Sequence, residues 1–263
     1  MQQIMFLLSF IFFVIVVGWI EYSSLEVALR DSTRKRWPAH IGLFTMSLAI
    51  QISLPIGAVV AAMVAETNAY GVFNWLNVPL ALEAVFSVIT MSFSYYLLHL
   101  LMHKVPVLWR LHQVHHSDYK LDISTAYRTH PISVILSLAI IFLVISLLGA
   151  APEVVIFYSG FVLTVDLLHH SSLNWPAAVE RVVGKLLITP SQHHIHHSDF
   201  QPETDTNFSA DFCLWDKVFG TFLARPLRHH ADFKYGLKEV SSDDAVDIHA
   251  ILLSPFVRRN GDP

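Results

Sequence analysis

Apolar residues fall along this chain in long runs separated by short polar stretches. A helix needs about 20 apolar residues to cross the hydrocarbon core of a bilayer. Five runs reach or approach that length: residues 4–20, 41–65, 80–102, 132–150 and 154–168. Only a short segment around Pro152 divides the last two, so they are expected to pair as an antiparallel hairpin. Past the fifth run the pattern changes. Over residues 175–188, Val179, Val182, Val183, Leu186 and Leu187 recur at helical spacing against Glu180, Arg181 and Lys185. That spacing predicts an amphipathic helix lying on the membrane or against the spans. The pattern as a whole predicts an all-α, multi-pass transmembrane protein of about five spans, forming one membrane-embedded domain over residues 1–263.

Composition supports this reading. Hydrophobic residues make up 54% of the chain and charged residues 14%, against roughly 25% charged in soluble domains. The mean hydropathy is +0.50. A soluble fold of this make-up would expose large apolar patches. The net charge of −4 offers no basic face for nucleic acid. Cys213 is the single cysteine, which excludes an intrachain disulfide and a thiolate metal cluster.

Basic residues set the expected orientation. Arg30, Arg34, Lys35 and Arg36 lie between the first two runs, and Lys104, Arg110, Lys120 and Arg128 between the third and fourth. The segment between the second and third has neither Lys nor Arg. The N-terminus is therefore expected outside and the C-terminal segment in the cytosol. A bacterial inner membrane is favoured over the endoplasmic reticulum.

The candidate chemistry is histidine. The chain has 16, nearly as many as its 17 Lys plus Arg, and only His40 precedes His99. Three clusters stand out: His99 with His103; His112 with His115 and His116; and His193 with His196 and His197. Residues four apart on a helix lie roughly 40° apart around the axis, and adjacent residues about 100° apart. The first cluster can therefore bite one metal. Each H-x-x-H-H cluster can send two imidazoles to one metal and the third to another. The orientation places all three at one face, which predicts a cytosolic His-rich helical cap holding a dinuclear site. Eight nitrogens give two metals about four ligands each. Imidazole suits Fe, Zn, Cu and Ni, so donor type alone leaves the metal open.

The stretch over residues 93–222 resembles the fatty acid hydroxylase superfamily, which includes sterol desaturases, lipid hydroxylases and alkylglycerol monooxygenase. The resemblance rests on the three histidine clusters in order, on His130-Pro131, His170-Ser171, Thr189-Pro190 and Asp205-Thr206-Asn207, and on the close from Trp215-Asp216 to Phe219-Gly220-Thr221. It implies a di-iron site (with zinc an alternative in isolated protein), O2 activation and oxidation of a lipid C–H bond. It also implies His130 and His170 as further ligands, and leaves His169 and His194 outside the ligand set. Asp205, Asn207 and Asp166 are candidates for groups behind the ligands. Tyr95 and Tyr96 are candidates for the substrate path, whereas Trp109 reads as an interface anchor. The sequence departs from the family's pattern at Ser92 and Leu100, where many members carry Asp and Arg.

No flavin fingerprint, iron–sulfur cysteine set or haem-binding stretch is visible, so electrons are expected from a separate ferredoxin or cytochrome. Arg110, Lys120 and Arg128 are candidates for its docking. Two other functions compete with hydroxylation or desaturation of a membrane lipid. One is oxidative cleavage of an ether lipid of the alkylglycerol type. The other is non-catalytic metal binding or transport, which is disfavoured because no polar path runs through the spans.

Overall fold

A computed structural model of the chain describes residues 14–24, 27–54, 56–229 and 233–257. Among these residues the regular structure is helical, with two isolated β-bridges and no strand. The helices are α1 (Val14–Ser24), α2 (Val27–Ser53), α3 (Ala58–Thr67), α4 (Val72–Leu76), α5 (Leu80–Lys104), α6 (Pro106–His116), α7 (Pro131–Leu148), α8 (Pro152–His170), α9 (Ala177–Val183), α10 (Pro190–His196), α11 (Gln201–Thr204), α12 (Leu214–Phe219) and α13 (Ile248–Leu253).

Four stretches are long and apolar enough to cross a membrane: Arg30–Leu76, α5, α7 and α8. At most a third of each apolar window is buried. Ile52, Met63, Val85, Phe86, Leu143, Leu147 and Phe157 point outward. A bundle whose helices show this much apolar side chain is solvated by lipid, and the protein is an integral membrane protein. The first run expected from the sequence lies in part outside the described residues, and its end forms α1.

The spans pack on small and β-branched residues. Ala61, Ala62, Met91, Ile141, Ile145, Val155 and Tyr158 form one core. At the far end of the bundle, Gly71 (φ +98°) meets Gly149 (φ +69°), the left-handed C-cap of α7. A Cβ on Gly71 would stand 2.4 Å from the Gly149 Cα. Only glycine fits both the positive φ and the approach.

Three boundaries differ from the sequence expectation. The run 41–65 is broken, as α2 ends at Ser53 and α3 begins at Ala58. Helix α2 begins well before residue 41, because Arg36 and His40 are buried against the segment after α6 rather than left in a loop. The amphipathic helix is shorter, as α9 ends at Val183.

The ends of α5 and α8, the start of α7 and all of α6 and α10 lie together at one end of the bundle, where a cap of short helices covers the spans. A buried ion cluster ties this cap down. Arg36 Nε and Nη2 donate to Asp118 at 2.6 and 2.7 Å, and Nη1 donates to Asp122 at 2.7 Å. Burial alone would raise the Asp118 carboxyl, but Arg36 holds it well below the ordinary carboxylate range. Arg128 donates to the Val114 carbonyl and to Ser117 Oγ, both at 2.8 Å. These bonds fix the C-terminal turn of α6, which carries His115 and His116. Burial also pulls the Arg128 pKa down to about 10. Arg128 is therefore a strut inside the protein and does not face a docking partner, contrary to the sequence expectation.

Candidate metal centre

Each histidine cluster sits where local structure makes it rigid. His99 and His103 occupy the last two turns of α5. Helix α6 opens with Pro106 at its first position, which suits a helix start. Seven-residue α10 is held by a capping box between Thr189 and Gln192 and by Pro190. Its three ligand candidates therefore project from a fixed turn.

Nine histidines converge in two adjoining groups. His99, His103, His112, His116 and His196 place one ring nitrogen each within 4.8 Å of all the others, and so do His115, His170, His193 and His197. The H-x-x-H-H clusters split two and one, as their spacing allows. His112 and His116 join the first group and His115 the second; His193 and His197 join the second and His196 the first. The groups touch, with the His116 and His197 ring centroids 4.5 Å apart.

The hydrogen bonding prepares these rings for a metal. His99 Nδ1 donates to the Phe208 carbonyl, His196 Nδ1 to the Thr206 carbonyl and His170 Nδ1 to the Asp166 carbonyl, each at 2.7 Å. A carbonyl only accepts, so each Nδ1 carries the hydrogen and each neutral ring keeps a lone pair on Nε2. Pairs of Nε2 atoms approach closely: His99 to His112 at 3.0 Å, His170 to His115 at 3.1 Å and to His193 at 3.0 Å. Ligands at right angles, each about 2.1 Å from one metal, stand about 3.0 Å apart. Both nitrogens of His103 and His116, and Nε2 of His196, are buried without a partner. Each such atom costs about 1–3 kcal/mol, so together they rival the roughly 5–15 kcal/mol stability of a whole domain. Each ring gives one nitrogen to a metal, so coordination would remove the cost of three of these five atoms. Burial first, and mutual repulsion second, push His112, His116, His193 and His197 well below the ordinary histidine pKa. Neutral imidazole is the form that binds metal. The residues present therefore fit a pair of nitrogen-ligated metal ions.

The tenth expected ligand lies elsewhere. His130 precedes Pro131 and is the N-cap of α7. Its Nδ1 accepts from the Ile132 amide at 3.2 Å, and its Nε2 donates to the Leu252 carbonyl at 3.3 Å. Both nitrogens are used, and the structure does not bring His130 to either group. His194 also points away: its Nε2 donates to the Ser171 carbonyl, and its Nδ1 accepts from the Tyr235 hydroxyl. His169 is closer than the sequence suggests. Its ring lies 3.9 Å from that of His193, and its Nε2 is 3.1 Å from Asp166 Oδ1.

Of the residues expected behind the ligands, Asp205 Oδ1 lies 3.5 Å from His103 Nδ1, while its Oδ2 accepts from Lys104 at 2.8 Å. Asn207 adopts a left-handed φ of 53° and bridges the Gln192 and Leu223 carbonyls at 2.8 Å each. It sits between the two carbonyls, Thr206 and Phe208, that orient His196 and His99. Asp216 holds the same segment, accepting from the Phe208 and Ser209 amides at 2.8 and 2.9 Å and from Thr221 Oγ1 at 2.7 Å. The Trp215–Thr221 motif thus acts on the metal site through the backbone.

One buried carboxylate beside the centre was not legible from spacing. Asp211 is buried and accepts from Ser92 Oγ at 2.7 Å and from the Tyr158 hydroxyl at 2.6 Å, and Trp215 Nε1 donates to Ser92 Oγ at 2.9 Å. At Ser92 the sequence departs from the pattern that the family resemblance implies. Here the acid comes from the cap and the serine from the span.

A cavity of about 210 Å³ opens beside the histidines, walled by Leu98, Met102 and Tyr95 and by ligand candidates of both groups, including His112 and His170. Tyr95 lines this cavity. Tyr96 does not: it is buried, stacks on Phe219 and is 3.2 Å from Thr221 Oγ1. Trp109 covers His103 and His116, with ring centroids 5.0 and 5.5 Å away.

The chain is 27% identical to the ornithine lipid hydroxylase OlsE of Rhizobium tropici, over 81% of this chain and 62% of that protein. It is 32% identical to human alkylglycerol monooxygenase, over 51% of this chain and 29% of that protein. It is also 32% identical to human cholesterol 25-hydroxylase, over 52% of this chain and 50% of that protein. The chain thus spans less than two thirds of the length of these relatives. No solved structure matches it. Residues 84–221, over half of the chain and the part that carries the three histidine clusters, match the fatty acid hydroxylase family, and the chain belongs to that family.

Proposed function

We propose that this protein is a membrane oxygenase that hydroxylates or desaturates a lipid with O2 at a pair of iron ions. The observation that carries this reading is the junction of the two histidine groups with a cavity at the depth of the spans. His99, His103, His112, His116 and His196 would hold one ion, and His115, His170, His193 and His197 the other. When bound, the irons would supply O2 activation and removal of hydrogen from a C–H bond.

The chain's own residues do the rest. The Phe208, Thr206 and Asp166 carbonyls keep Nε2 of three ligands bare and aimed. Leu98, Met102 and Tyr95 exclude water from the reacting carbon. In hydroxylation one C–H, O2, two electrons and two protons give an alcohol and one water. In desaturation two adjacent C–H bonds, O2, two electrons and two protons give a double bond and two waters.

The two electrons come from a separate ferredoxin- or cytochrome-type protein in this reading. Lys120 remains a docking candidate, because it lines an open groove of about 1040 Å³ with Arg181, Lys185, Lys217 and Arg225. One wall of that groove is α10, whose other side carries three ligand candidates. The basic segments orient the histidine end to the cytosol, and a bacterial inner membrane is favoured. The relatives named for alkylglycerol and ornithine lipid keep ether cleavage alongside hydroxylation within one oxygenase reading.

The test is turnover of iron-loaded protein in nanodiscs of mixed lipid under 18O2 with a reducing system. An O2-dependent product, either lipid carrying the heavy isotope or lipid lighter by two hydrogens, is expected. Identical lipid with and without O2 would refute the proposal.

A further inference from the structure

The cavity beside the histidines is not uniformly apolar. Thr129, Ser133, Ser137 and Asp166 also line it. Ser133 and Ser137 lie one turn apart on one face of α7, whose one other polar side chain, Ser146, does not line the cavity. Ser133 Oγ is buried without a partner. Asp166 is the only acidic side chain on the wall among the described residues. Its Oδ1 is 3.1 Å from His169 Nε2 and 3.5 Å from His170 Nδ1, and its side chain is 32% exposed. Among the described residues the second oxygen accepts no hydrogen bond. A carboxyl group and hydroxyls within a span are costly unless something pairs with them. A bare hydrocarbon chain in this cavity would leave them unpaired.

We infer that Asp166, Ser133 and Ser137 form a recognition site for a hydroxyl or amide N–H of the lipid, which places a carbon close to that group at the metal pair. The distances are short. Asp166 stands four residues from His170 on α8, about 6 Å along the axis. The oxidised carbon therefore lies within a few bonds of the donor, at the headgroup end of the lipid, and not in mid-chain or at the methyl end. The inference rests on the oxygenase reading above and narrows its substrate class.

The experiment compares total lipid from cells expressing the wild-type chain and the His115→Ala/His196→Ala variant, and locates the changed carbon by fragmentation mass spectrometry. The expected product is altered within about four bonds of a hydroxyl or amide. Alteration in mid-chain or at the methyl end would overturn this inference and leave the oxygenase reading standing. No difference between the two lipid pools would sink both. With the product in hand, iron-loaded Asp166→Asn and Ser133→Ala/Ser137→Ala proteins are assayed on its precursor. Asp166→Asn keeps an acceptor for His169 but replaces the free acceptor with a donor. Each variant should raise KM at least tenfold, keep kcat within about twofold and retain two irons. An unchanged KM in both, or a loss of iron in both, would overturn the inference.

Discussion

Removing the Asp216 carboxylate probes the link between the chain's closing motif and the metals. The carboxylate accepts two buried backbone N–H groups, those of Phe208 and Ser209, and the Thr221 hydroxyl. Hydrogen bonds to a charged group are worth about 1.5–3 kcal/mol each, so Asp216→Ala costs about 3–6 kcal/mol from the two amides alone. That loss is large enough to threaten folding. Asp216→Asn is the informative variant, because its amide oxygen retains one acceptor. The segment it loosens carries the Thr206 and Phe208 carbonyls, which fix the rings of His196 and His99. Both belong to the first group of five. Losing such outer partners typically weakens metal binding about 10–100-fold. The Asp216→Asn protein should therefore release one of two metals to a graded chelator at about 10–100-fold lower chelator activity than wild type. The second metal should be released at an unchanged activity. Two metals held as tightly as in wild type, in a protein with lowered melting temperature, would refute the claim that this segment orients the first group.

Other outcomes follow from the same geometry. His130→Ala should keep both metals by elemental analysis and lose about 1 kcal/mol of stability as an N-cap deletion; loss of a metal would return His130 to the ligand set. Arg36→Met leaves Asp118 buried without its main partner, and should cost about 3–5 kcal/mol, read as a fall in melting temperature. Apo-protein should lose stability as pH falls below about 6.5. The folded pKa values of His112, His116, His193 and His197 are depressed, so the unfolded chain takes up protons first, at about 1.4 kcal/mol per pH unit per histidine. A flat melting temperature from pH 7.5 to 5.5 would contradict that sign.

The spans and the split of the H-x-x-H-H clusters were legible because each depends on local periodicity. Helical angles alone divide His112 and His116 from His115. What the sequence hid depends on long-range pairing. Arg36 reads as one of several loop cations, but its partners lie some eighty residues away. Asp211 carries no motif, and only the approach of the cap to α5 places it against Ser92. His130 stands apart from both groups for a local reason: it caps the helix that Pro131 starts, and its two nitrogens pair with the Ile132 amide and the Leu252 carbonyl. Tyr95 and Tyr96 look equivalent in sequence, yet adjacent helical positions diverge by about 100°. One faces the cavity and the other packs in the cap.

The most direct test of the dinuclear centre is metal analysis of protein purified in mild detergent, wild type beside His115→Ala/His196→Ala, which removes one ligand from each group. The account predicts close to two irons per chain in the wild type and a loss of both in the variant. One metal or none in the wild type, unchanged by the substitutions, would contradict it.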